Sequence, residues 1–447
     1  MATPSDASLS PATSSALALA ASAHMKPFGL LESYSAAAPW AVFPRKKLDV
    51  TYGDIAAGLR GCLSLRESQR DEYLAKISRF WDASGQTMVT LSVRTGFDLL
   101  LQTLKLPPGS EILCSAITIP DMIYLVKYHN LVPVPIDLHP DTLAIDVERI
   151  RAAVTDKTRA ILVAHIFGSR HPMDEVLDLA DELNLMVIED CAQAFVGMQY
   201  TGERGADVSM FSFGTIKTTT AFGGALIRVK NPQILEEMRR RESRYPARST
   251  AFFMKRLVKY GVLHGISTPA LYGILLHTCR AIGADHDKVI TSAIRGFSGG
   301  ELVSLIRFRP SMPLLGLLHH RLTAVDEAYI ELRRLKSEQL RNAIKDLPGV
   351  EIPGHGAKSH YYWLFPVLVS SPARIVNYMN QKGFDVTSGA TQLAFVPSPK
   401  GEEHDPQHAK HIMSRIVYLP ITAETPDWAV DRMVQCFKEA LQVSARL

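Results

Sequence analysis

The sequence predicts an α/β protein: a large three-layer domain with a mainly parallel central sheet, followed by a smaller C-terminal α+β domain. From about Met88 onward, short apolar segments alternate with amphipathic segments, which is the pattern of repeated βαβ units. The short segments are apolar almost throughout, as expected for strands that helices cover on both faces. After Gly224 this alternation ends, and the C-terminal part has the mixed pattern of an α+β unit.

The elements of the large domain follow each other in the order that a parallel sheet requires. The predicted strands are, in order, TMVTLSV, EILCSA, LVPVPIDL, RAILVAHIF and MVIEDCAQA, with ALIRVK after the glycine pair. The predicted helices are GFDLLLQTLKL, DMIYLVKYHN, MDEVLDLADELNL and, entered through Asn-Pro, NPQILEEMRRRES. Because helical crossovers separate most of the strands, we expect those strands to be parallel.

A long amphipathic helix, AVDEAYIELRRLKSEQLRNAIKDL, leads into the smaller domain and ends at Pro348-Gly349. The segments after it predict two strands, YYWLFPVLV and FDVTSG, and two helices, SPARIVNYMNQKG and DWAVDRMVQCFKEALQ. We therefore divide the chain into an N-terminal tail (1–25), a large domain (26–335) and a small domain (336–447).

The composition is that of an ordinary soluble globular protein. Hydrophobic residues make up 47% and charged residues 21% of the 447 residues, well away from disordered chains. The 49 basic and 45 acidic residues leave a net charge of only +4, too even for a nucleic-acid-binding surface. The five cysteines are widely spaced without a CxxC pair, so we expect reduced thiols, no metal site and a cytoplasmic location.

The N-terminal tail is rich in Ala, Ser and Thr and contains a single acidic residue in its first 24 positions. Such a segment cannot bury enough apolar surface to fold by itself, so we expect it to be disordered. It lacks the arginines of a typical organelle transit peptide and the basic start of a secretory signal. Import into an organelle stays the alternative interpretation.

An insertion interrupts the large domain at about residues 244–309. Within it, the twenty residues from Tyr260 to Cys279 contain no Asp, Glu, Lys or Arg, a length that could nominally cross a bilayer. Pro269 would divide this segment into two short helices. We expect a helical hairpin that packs on the protein or in a dimer interface. The alternative is a peripheral contact of residues 255–280 with a membrane or a lipid-like substrate.

The first candidate for chemistry is Asp190, at the end of the strand in VIEDCAQAF. In open α/β sheets ligands bind outside the carboxyl ends of the strands. A carboxylate there could keep a ring nitrogen protonated, which pyridoxal phosphate needs in order to withdraw electrons. Taken alone, Asp190 is more simply interpreted as a solvated acid at a strand end.

The second candidate is the pair Ser212 and Lys217, five residues apart in the segment FSFGTIK. A predicted strand delivers the serine hydroxyl, and the lysine follows among small residues. A lysine that loses its hydration has a lowered pKa and forms an imine more readily. Without the other candidates, a lysine in such a loop is usually a surface residue.

The third candidate is the turn in TLSVRTGFDLLL, where a strand passes into a helix. The first N–H groups of a helix have no intrahelical acceptor and carry partial positive charge, so Val93, Arg94 and Thr95 form a candidate phosphate site. The turn is neither a P-loop nor a GxGxxG motif, and its specificity alone is weak.

In this order, the three candidates resemble fold-type-I pyridoxal-phosphate enzymes and, in detail, the DegT/StrS family of sugar aminotransferases. The family's SGTAAL…GPGDEV…TF stretch aligns with SVRTGF…PPGSEI…TI, and its EDAAQA with EDCAQA. Its GD…FSF…K…GGA pattern matches AD…FSFGTIKTTTAFGGA, and YYWLFPV and YLPIT fit its small domain. The resemblance extends from about Lys47 to the C-terminus, apart from the insertion.

The resemblance implies a role for each candidate. Lys217 would form the Schiff base with pyridoxal phosphate and move protons at the substrate carbon. Asp190 would pair with the pyridinium nitrogen, and Ser212 would bind the phosphate together with the backbone at Val93 and Arg94.

Three further positions follow from the same motifs. Gln193 would lie beside the ring and its phenolic oxygen, and Ala192 would pack on one ring face. His165, in VAHIFG, matches a histidine that the family carries at a strand end. A hydrogen-bonded structural histidine is the simpler interpretation of His165.

The sequence departs from the family around the expected substrate site. Ile119 stands where the family commonly has an aromatic residue on the ring, which gives up a stacking contact of about 0.5–1.5 kcal/mol. Val93-Arg94 replaces the usual Gly-Thr of the phosphate turn. The GxNxR segment, which in the family reaches the neighbouring subunit's cofactor, has become IRFRPS with Arg307 and Arg309.

The leading functional hypothesis is an aminotransferase that moves an amino group from a donor such as glutamate to a keto or aldehyde acceptor. The family implies a homodimer and a nucleotide-linked keto sugar as acceptor, whereas the altered positions and the apolar insertion leave room for a hydrophobic ketone. A dehydratase, epimerase or lyase on the same fold is the alternative, although family dehydratases typically replace the lysine. A non-catalytic scaffold is the third hypothesis, and the complete Lys217, Asp190 and Ser212 set argues against it.

Overall fold

The computed structural model describes residues 37–284, 301–389 and 391–445. The predicted disordered tail, residues 1–25, lies outside these ranges. The strands are β1 Thr87–Thr90, β2 Glu111–Ser115, β3 Ile117–Thr118, β4 Val132–Ile136, β5 Thr158–Ala164, β6 Ser169–Arg170, β7 Met186–Asp190, β8 Val208–Ser212, β9 Ala225–Val229, β10 Ser359–His360, β11 Phe365–Leu368, β12 Ala394–Phe395 and β13 Ile416–Leu419.

Helices cover the sheet and build the C-terminal part. They are α1 Tyr52–Ser64, α2 Arg70–Trp81, α3 Val93–Leu104, α4 Pro120–Tyr128, α5 Val147–Ala153, α6 Asp174–Leu183, α7 Pro232–Glu242, α8 Thr250–Ile266, α9 Pro269–Ala281, α10 Leu302–Ile306, α11 Met312–Thr323, α12 Glu327–Ile344, α13 Pro372–Gln381, α14 Gln407–Arg415 and α15 Asp427–Ala445. Short 3-10 helices occupy Glu67–Gln69 and Glu402–His404.

The central sheet has seven strands in the order β1-β9-β8-β7-β5-β2-β4. The neighbours from β8 to β4 pair in parallel, and β9 runs antiparallel to both β1 and β8. Along β5, Leu162 packs with α3 and α4 on one face of the sheet, whereas Ile161 and Val163 pack with α5 and α6 on the other. The predicted three-layer domain with a mainly parallel sheet is therefore confirmed.

Because β1, β5, β7 and β8 run in the same direction, their carboxyl ends lie along one edge of the sheet. Ser92 follows β1, His165 follows β5, and Asp190 and Ser212 are the last residues of β7 and β8. Strand β9 begins at this same edge, just after Gly224. The topology thus brings residues that are far apart in the sequence to one place.

The C-terminal part pairs β11 with β13 and packs both against α13 and α15. One predicted strand of this part is shorter than expected, and one is wrong. The strand predicted at YYWLFPVLV begins only at Phe365, because Tyr362 has a left-handed backbone (φ 44°) that breaks an extended strand. The segment FDVTSG forms only isolated bridges, from Phe384 to Phe43 and from Thr387 to Tyr418. The predicted domain boundary at residue 335 falls inside α12, and the division into domains stays a prediction.

The described part of the insertion contains the expected helical hairpin, formed by α8 and α9. Pro269 is the first residue of α9, so the proline separates the two helices as predicted. Helix α9 packs closely on the segment that precedes α1. A Cβ added at Gly273 would lie only 2.0 Å from the carbonyl oxygen of Trp40. Within the described ranges, no helix is both long and apolar enough to cross a membrane.

Candidate active site

A cavity opens at the carboxyl edge of the sheet. Nine of the predicted site residues line it: Val93, Arg94, Ile119, His165, Asp190, Ala192, Gln193, Ser212 and Lys217. They come from the segments after β1, β3, β5, β7 and β8. The sheet topology therefore brings together the three candidates for chemistry that the sequence places far apart.

Lys217 lies on a tight loop that follows β8. Its backbone N–H donates to the Gly214 carbonyl (3.0 Å), and the Thr220 hydroxyl donates to the same oxygen (2.7 Å), which fixes the loop. The Lys217 Nζ lies 4.2 Å from the centre of the Trp363 ring. Burial lowers the pKa of Lys217 to about 7, with Asp190 opposing and Arg94 assisting that shift. A large fraction of this amine is therefore uncharged at neutral pH, as a nucleophile requires.

Asp190 ends β7 with its side chain buried in the cavity wall. Burial raises the pKa of Asp190, and the opposing influences are the Ala192 N–H, which donates to Oδ1 (2.9 Å), and the charges of Lys217, His165 and Arg94. A buried carboxyl in this state gains from an additional cationic partner. A protonated pyridine nitrogen is such a partner.

His165 belongs to a buried network behind Asp190. Its Nε2 lies 2.8 Å from Oε1 of Glu189, and its Nδ1 accepts from the backbone N–H of His171 (3.2 Å). Glu189 also accepts from the Tyr200 hydroxyl and from the Glu203 N–H (2.9 Å). Burial acts to raise the pKa of Glu189, but these donors hold it at about 2. His165 thus has the structural, hydrogen-bonded environment that the simpler interpretation expects.

The same network contains a cluster of potential metal ligands. Donor atoms of His165, Glu189 and Cys191 lie within 4.8 Å of one another. Both carboxylate oxygens of Glu189 already accept hydrogen bonds from protein donors. Burial raises the pKa of Cys191 and so disfavours the thiolate that would bind a metal. We therefore interpret the cluster as a structural hydrogen-bond network.

The turn after β1 leads into α3, as the predicted strand–turn–helix segment requires, with one difference in its site residues. Ser92 caps α3, its Oγ accepting from the Thr95 N–H (3.2 Å). The Thr95 hydroxyl donates to the Ile306 carbonyl (2.9 Å), and Thr95 is fully buried behind the turn. Contrary to the prediction, Thr95 does not line the cavity, because its polar groups complete the helix cap and the contact with α10. Val93, Arg94 and Ser92 remain on the cavity side.

The sequence that builds this site matches a known protein family. The model of the DegT/DnrJ/EryC1/StrS aminotransferase family matches residues 68–294, about half of the chain. The chain belongs to this family. Aminotransferases of the DegT family depend on pyridoxal phosphate.

Two curated relatives are similar to parts of the chain. GDP-perosamine synthase of Escherichia coli O157:H7 is 30% identical over 166 residues, covering 36% of this chain and 45% of that protein. The dTDP-3-amino-3,4,6-trideoxy-α-D-glucose transaminase of Streptomyces venezuelae is 33% identical over 161 residues, 34% of this chain and 42% of that protein. The chain thus spans less than half the length of the curated relatives that it matches.

Solved structures extend the likeness of the fold to most of the chain. The aminotransferase TlmJ from Streptoalloteichus hindustanus has a TM-score of 0.67 at 16% identity, covering 90% of this chain and 100% of that one. NtdA from Bacillus subtilis, solved with bound cofactor PMP, has a TM-score of 0.61 at 16% identity, covering 88% and 83%. The predicted fold type I is therefore confirmed.

Two of the departures from the DegT family lie at the cavity. Ile119 lines the cavity at the start of α4, where the family commonly has an aromatic residue. Arg94 spans the cavity rim, donating to Asp121 (2.5 Å) and to Gln392 (3.2 Å). Arg94 lines the cavity, as expected for the candidate phosphate site, and these contacts use part of its donor capacity.

The arginines of the altered GxNxR segment do not line this cavity. Arg307 forms two hydrogen bonds with the buried carboxylate of Asp98 (2.9 and 3.1 Å). Arg309 donates from Nε to the Tyr245 carbonyl (2.9 Å). Both guanidinium groups are thus engaged within the chain, and a contact with a neighbouring subunit's site stays a prediction.

Sequence reasoning missed part of the cavity wall. The insertion contributes Arg248, Phe252, Phe253 and Arg256, and the C-terminal part contributes Trp363. No motif marks these positions. The only signal for Trp363 was its place in YYWLFPV, a segment that the resemblance had already assigned to the small domain. For Arg256 there was no signal beyond its position just before the uncharged stretch.

Proposed function

We propose that this protein is a pyridoxal-phosphate-dependent aminotransferase whose reactive amine is Lys217. The observation that carries the proposal is a buried lysine with a pKa of about 7 in the same cavity as the buried carboxyl of Asp190. Perturbed groups of this kind cluster at functional sites because chemistry requires their pKa values to be tuned. The family supplies the reaction class.

The residues present are suited to this cofactor. The Ser212 hydroxyl and the N-terminal N–H groups of α3 would hold its phosphate, and Asp190 would pair with its ring nitrogen. Ala192 and Ile119 would cover the ring, with Gln193 near the phenolic oxygen. Gln193 Oε1 accepts from the Phe167 N–H (2.8 Å), which fixes its side chain at this edge. When bound, the cofactor supplies the carbonyl that exchanges with the amino group and a ring that withdraws electrons.

Lys217 would transfer protons, and Trp363 would exclude water from the site. The Lys217 amine would take a proton from the substrate's reacting carbon in one half of the reaction and return a proton to that carbon in the reverse half, the role of a general base and acid. The Trp363 indole N–H donates to the Ile216 carbonyl (3.0 Å), so the ring is attached to the loop that carries Lys217. A ring held over the amine keeps water away and maintains the lowered pKa.

The donor in this proposal is an amino acid such as glutamate, and the acceptor is a keto or aldehyde compound. The names of the relatives support a nucleotide-linked keto sugar as acceptor. A dehydratase, epimerase or lyase using the same site is the second candidate. Retention of the lysine favours transamination over dehydration.

A half-reaction separates these candidates. Protein loaded with pyridoxal phosphate is mixed with glutamate alone, and 2-oxoglutarate and the cofactor's amine form are quantified by chromatography. An aminotransferase releases one 2-oxoglutarate per active site without an acceptor. The matched control is Lys217→Arg, which keeps a long basic side chain but cannot supply an uncharged amine, and should lose the reaction. If the wild-type protein retains its cofactor but releases no keto acid from any amino donor tested, the second candidate takes precedence.

We also propose a homodimer, because the family completes its sites across subunits. Sedimentation equilibrium of the full chain across a range of concentrations tests this. A single species with the mass of one chain, 49.4 kDa, at all concentrations contradicts it.

A peripheral contact of residues 255–280 with anionic lipid is a further part of the proposal. The outer faces of α8 and α9 expose Met254, Val258, Val262, Leu271 and Ile274. Residues 244–284 contain no Asp or Glu, and four of their six basic residues are exposed: Arg244, Lys255, Lys259 and Arg280. Exposed apolar residues beside basic ones are typical of surfaces that bind anionic bilayers. Flotation with anionic vesicles should recover the wild type and lose Val258→Ser/Val262→Ser; equal recovery of both contradicts the contact.

The compartment in this proposal is a reducing one such as the cytoplasm. All five cysteines are free, and four of them are buried. Burial raises the pKa of Cys114 to about 12, so this thiol is kept protonated and unreactive. Import into an organelle, if residues 1–25 direct it, would be seen by fluorescence microscopy of the tagged full chain.

A further inference from the structure

The topology fixes which end of the cavity would hold a phosphate. The candidate phosphate groups are the N-terminus of α3, after β1, and the Ser212 hydroxyl, at the end of β8. Strand β9 lies between β1 and β8 in the sheet. The residues just before β9, Phe222 to Gly224, therefore lie between the two candidate phosphate groups, on the opposite side of Ser212 from Asp190 and β7.

Arg256 of the insertion reaches this end of the cavity. Its guanidinium donates to the Phe222 carbonyl (2.8 Å) and to the Thr215 hydroxyl (3.1 Å). Phe222 directly precedes the glycine pair before β9, and Thr215 lies between Ser212 and Lys217. The side chain is largely buried, and it lines the cavity. A cation from α8 is thus placed beside the two loops that frame the phosphate end.

Arg248 adds a second cation from the same insertion. Its guanidinium donates to the Leu305 carbonyl (2.7 Å) and lies over the Phe308 ring, 3.7 Å from the centre. Burial lowers the pKa of Arg248, and the charge of Arg256 lowers it further. Two cations held close enough to repel each other gain from an anion that both can contact.

The charge balance of the cavity agrees with an anionic ligand. Among the described residues that line it, the basic ones are Arg94, Lys217, Arg248 and Arg256, and Asp190 is the only acidic one. Asp190 lies on the β7 side. Among the described lining residues, basic side chains therefore outnumber acidic ones, and the insertion contributes two of the basic ones, Arg248 and Arg256.

We propose that Arg256 and Arg248 of the insertion form a phosphate-binding site within the same chain, at the end of the cavity framed by Ser212 and the N-terminus of α3. The ligand is a phosphate ester, carried either by the cofactor or by a nucleotide-linked substrate. The proposal rests on the proposed function for its place in a reaction. The proposal gives the insertion a role in binding phosphate. Arg307 and Arg309 do not fill this role within the chain, because they bind Asp98 and the Tyr245 carbonyl.

The first test asks whether the site binds the cofactor's phosphate, and it compares two ligands that differ only in that phosphate. The apoprotein of the full chain is titrated with pyridoxal phosphate and with pyridoxal, followed by visible absorbance. Arg256→Gln should weaken pyridoxal phosphate roughly ten- to hundredfold, the range for a lost charge-assisted hydrogen bond, and leave pyridoxal unchanged. Arg256→Lys, which keeps the charge, should recover part of the loss. Arg280→Gln is the matched control, because Arg280 is exposed on α9 and lies outside the cavity wall.

The substrate arm uses the cofactor-loaded protein titrated with thymidine diphosphate by calorimetry. A weakened diphosphate with unchanged cofactor affinity in Arg256→Gln assigns the site to the substrate's phosphate and supports the proposal. Unchanged affinities for both phosphate ligands in Arg256→Gln and in Arg248→Gln overturn it. If Arg256→Gln fails to fold by circular dichroism, Arg248→Gln carries the same test. Failure of the wild type to bind pyridoxal phosphate would instead overturn the proposed function, so the two failures are distinguishable.

Discussion

The cavity has two walls with different origins. The sheet wall consists of residues at the carboxyl ends of β1, β5, β7 and β8, among them Asp190 and Ser212, with Lys217 on the loop that follows. The insertion wall consists of α8 and the chain before it, with Arg248, Phe252 and Arg256. The first wall carries the groups expected to perform the chemistry, and the second carries cations and aromatic rings.

The two walls also differ in how they are held. The sheet wall is held by backbone pairing and by a hydrogen-bond network around Glu189, which is fully buried. The insertion wall is held by packing of Phe253, Leu257 and Tyr260 against the body of the protein, while its outer face is exposed. We therefore expect mutations in the two walls to have separable effects.

The largest effect is expected at the sheet wall. Asp190→Asn removes the acid that would keep the cofactor ring protonated, so transamination should fall on the order of a hundredfold or more while cofactor binding persists. Turnover with glutamate and a keto acceptor measures the first, and visible absorbance the second. The control is Asp174→Asn, exposed on α6. Full activity of Asp190→Asn would show that the strand-end acid has no chemical role.

The next effect concerns the stability of the sheet wall. Glu189→Gln replaces a buried, ionised carboxylate that accepts from His165, Tyr200 and Glu203, and should cost about 2–4 kcal/mol of unfolding free energy at neutral pH. Because the folded-state pKa of Glu189 is depressed to about 2, its contribution is present above the unfolded pKa near 4.5 and is lost as the pH falls toward 2. Urea unfolding at neutral pH and near pH 3 measures the difference between variant and wild type. A difference that is the same at both pH values contradicts this account.

The smallest effect is expected where the C-terminal part covers Lys217. Trp363→Leu should admit water and raise the pKa of Lys217 from about 7 toward its ordinary value of 10.5, because burial is the main cause of the lowered pKa. The rate at which the apoprotein binds cofactor covalently rises with pH as the free amine appears, so its midpoint should move upward in the variant. Stopped-flow absorbance across the pH range measures this midpoint. An unchanged midpoint would assign the lowered pKa to other neighbours.

The sheet wall was predictable because its signals are local. Strands that end in a polar residue, a serine and lysine five apart, and a strand–turn–helix segment each place a group at a known edge of a parallel sheet. The order of these signals, together with the family resemblance, predicted Asp190, Ser212 and Lys217 as site residues, and the structure brings all three to one cavity.

The insertion wall was not predictable for the opposite reason. The position of Arg256 at the cavity depends on how α8 packs across a sheet formed by distant segments, and no periodicity encodes that contact. The burial of Thr95 depends in the same way on the Ile306 carbonyl of α10. The segment FDVTSG forms no strand because it pairs with other segments only at single residues. Within it, the Asp385 carboxylate accepts two hydrogen bonds from the Arg45 guanidinium (both 2.7 Å).

One measurement tests the central claim most directly: borohydride reduction of the protein with bound pyridoxal phosphate, followed by peptide mapping by mass spectrometry. Lys46 provides a stringent comparison, because its amine lies 3.4 Å from the centre of the same Trp363 ring and burial lowers its pKa well below the usual range. The account predicts one pyridoxyl group per chain, on Lys217, and none in Lys217→Ala. Labelling of Lys46 or another lysine in the wild type, with Lys217 unmodified, would contradict it.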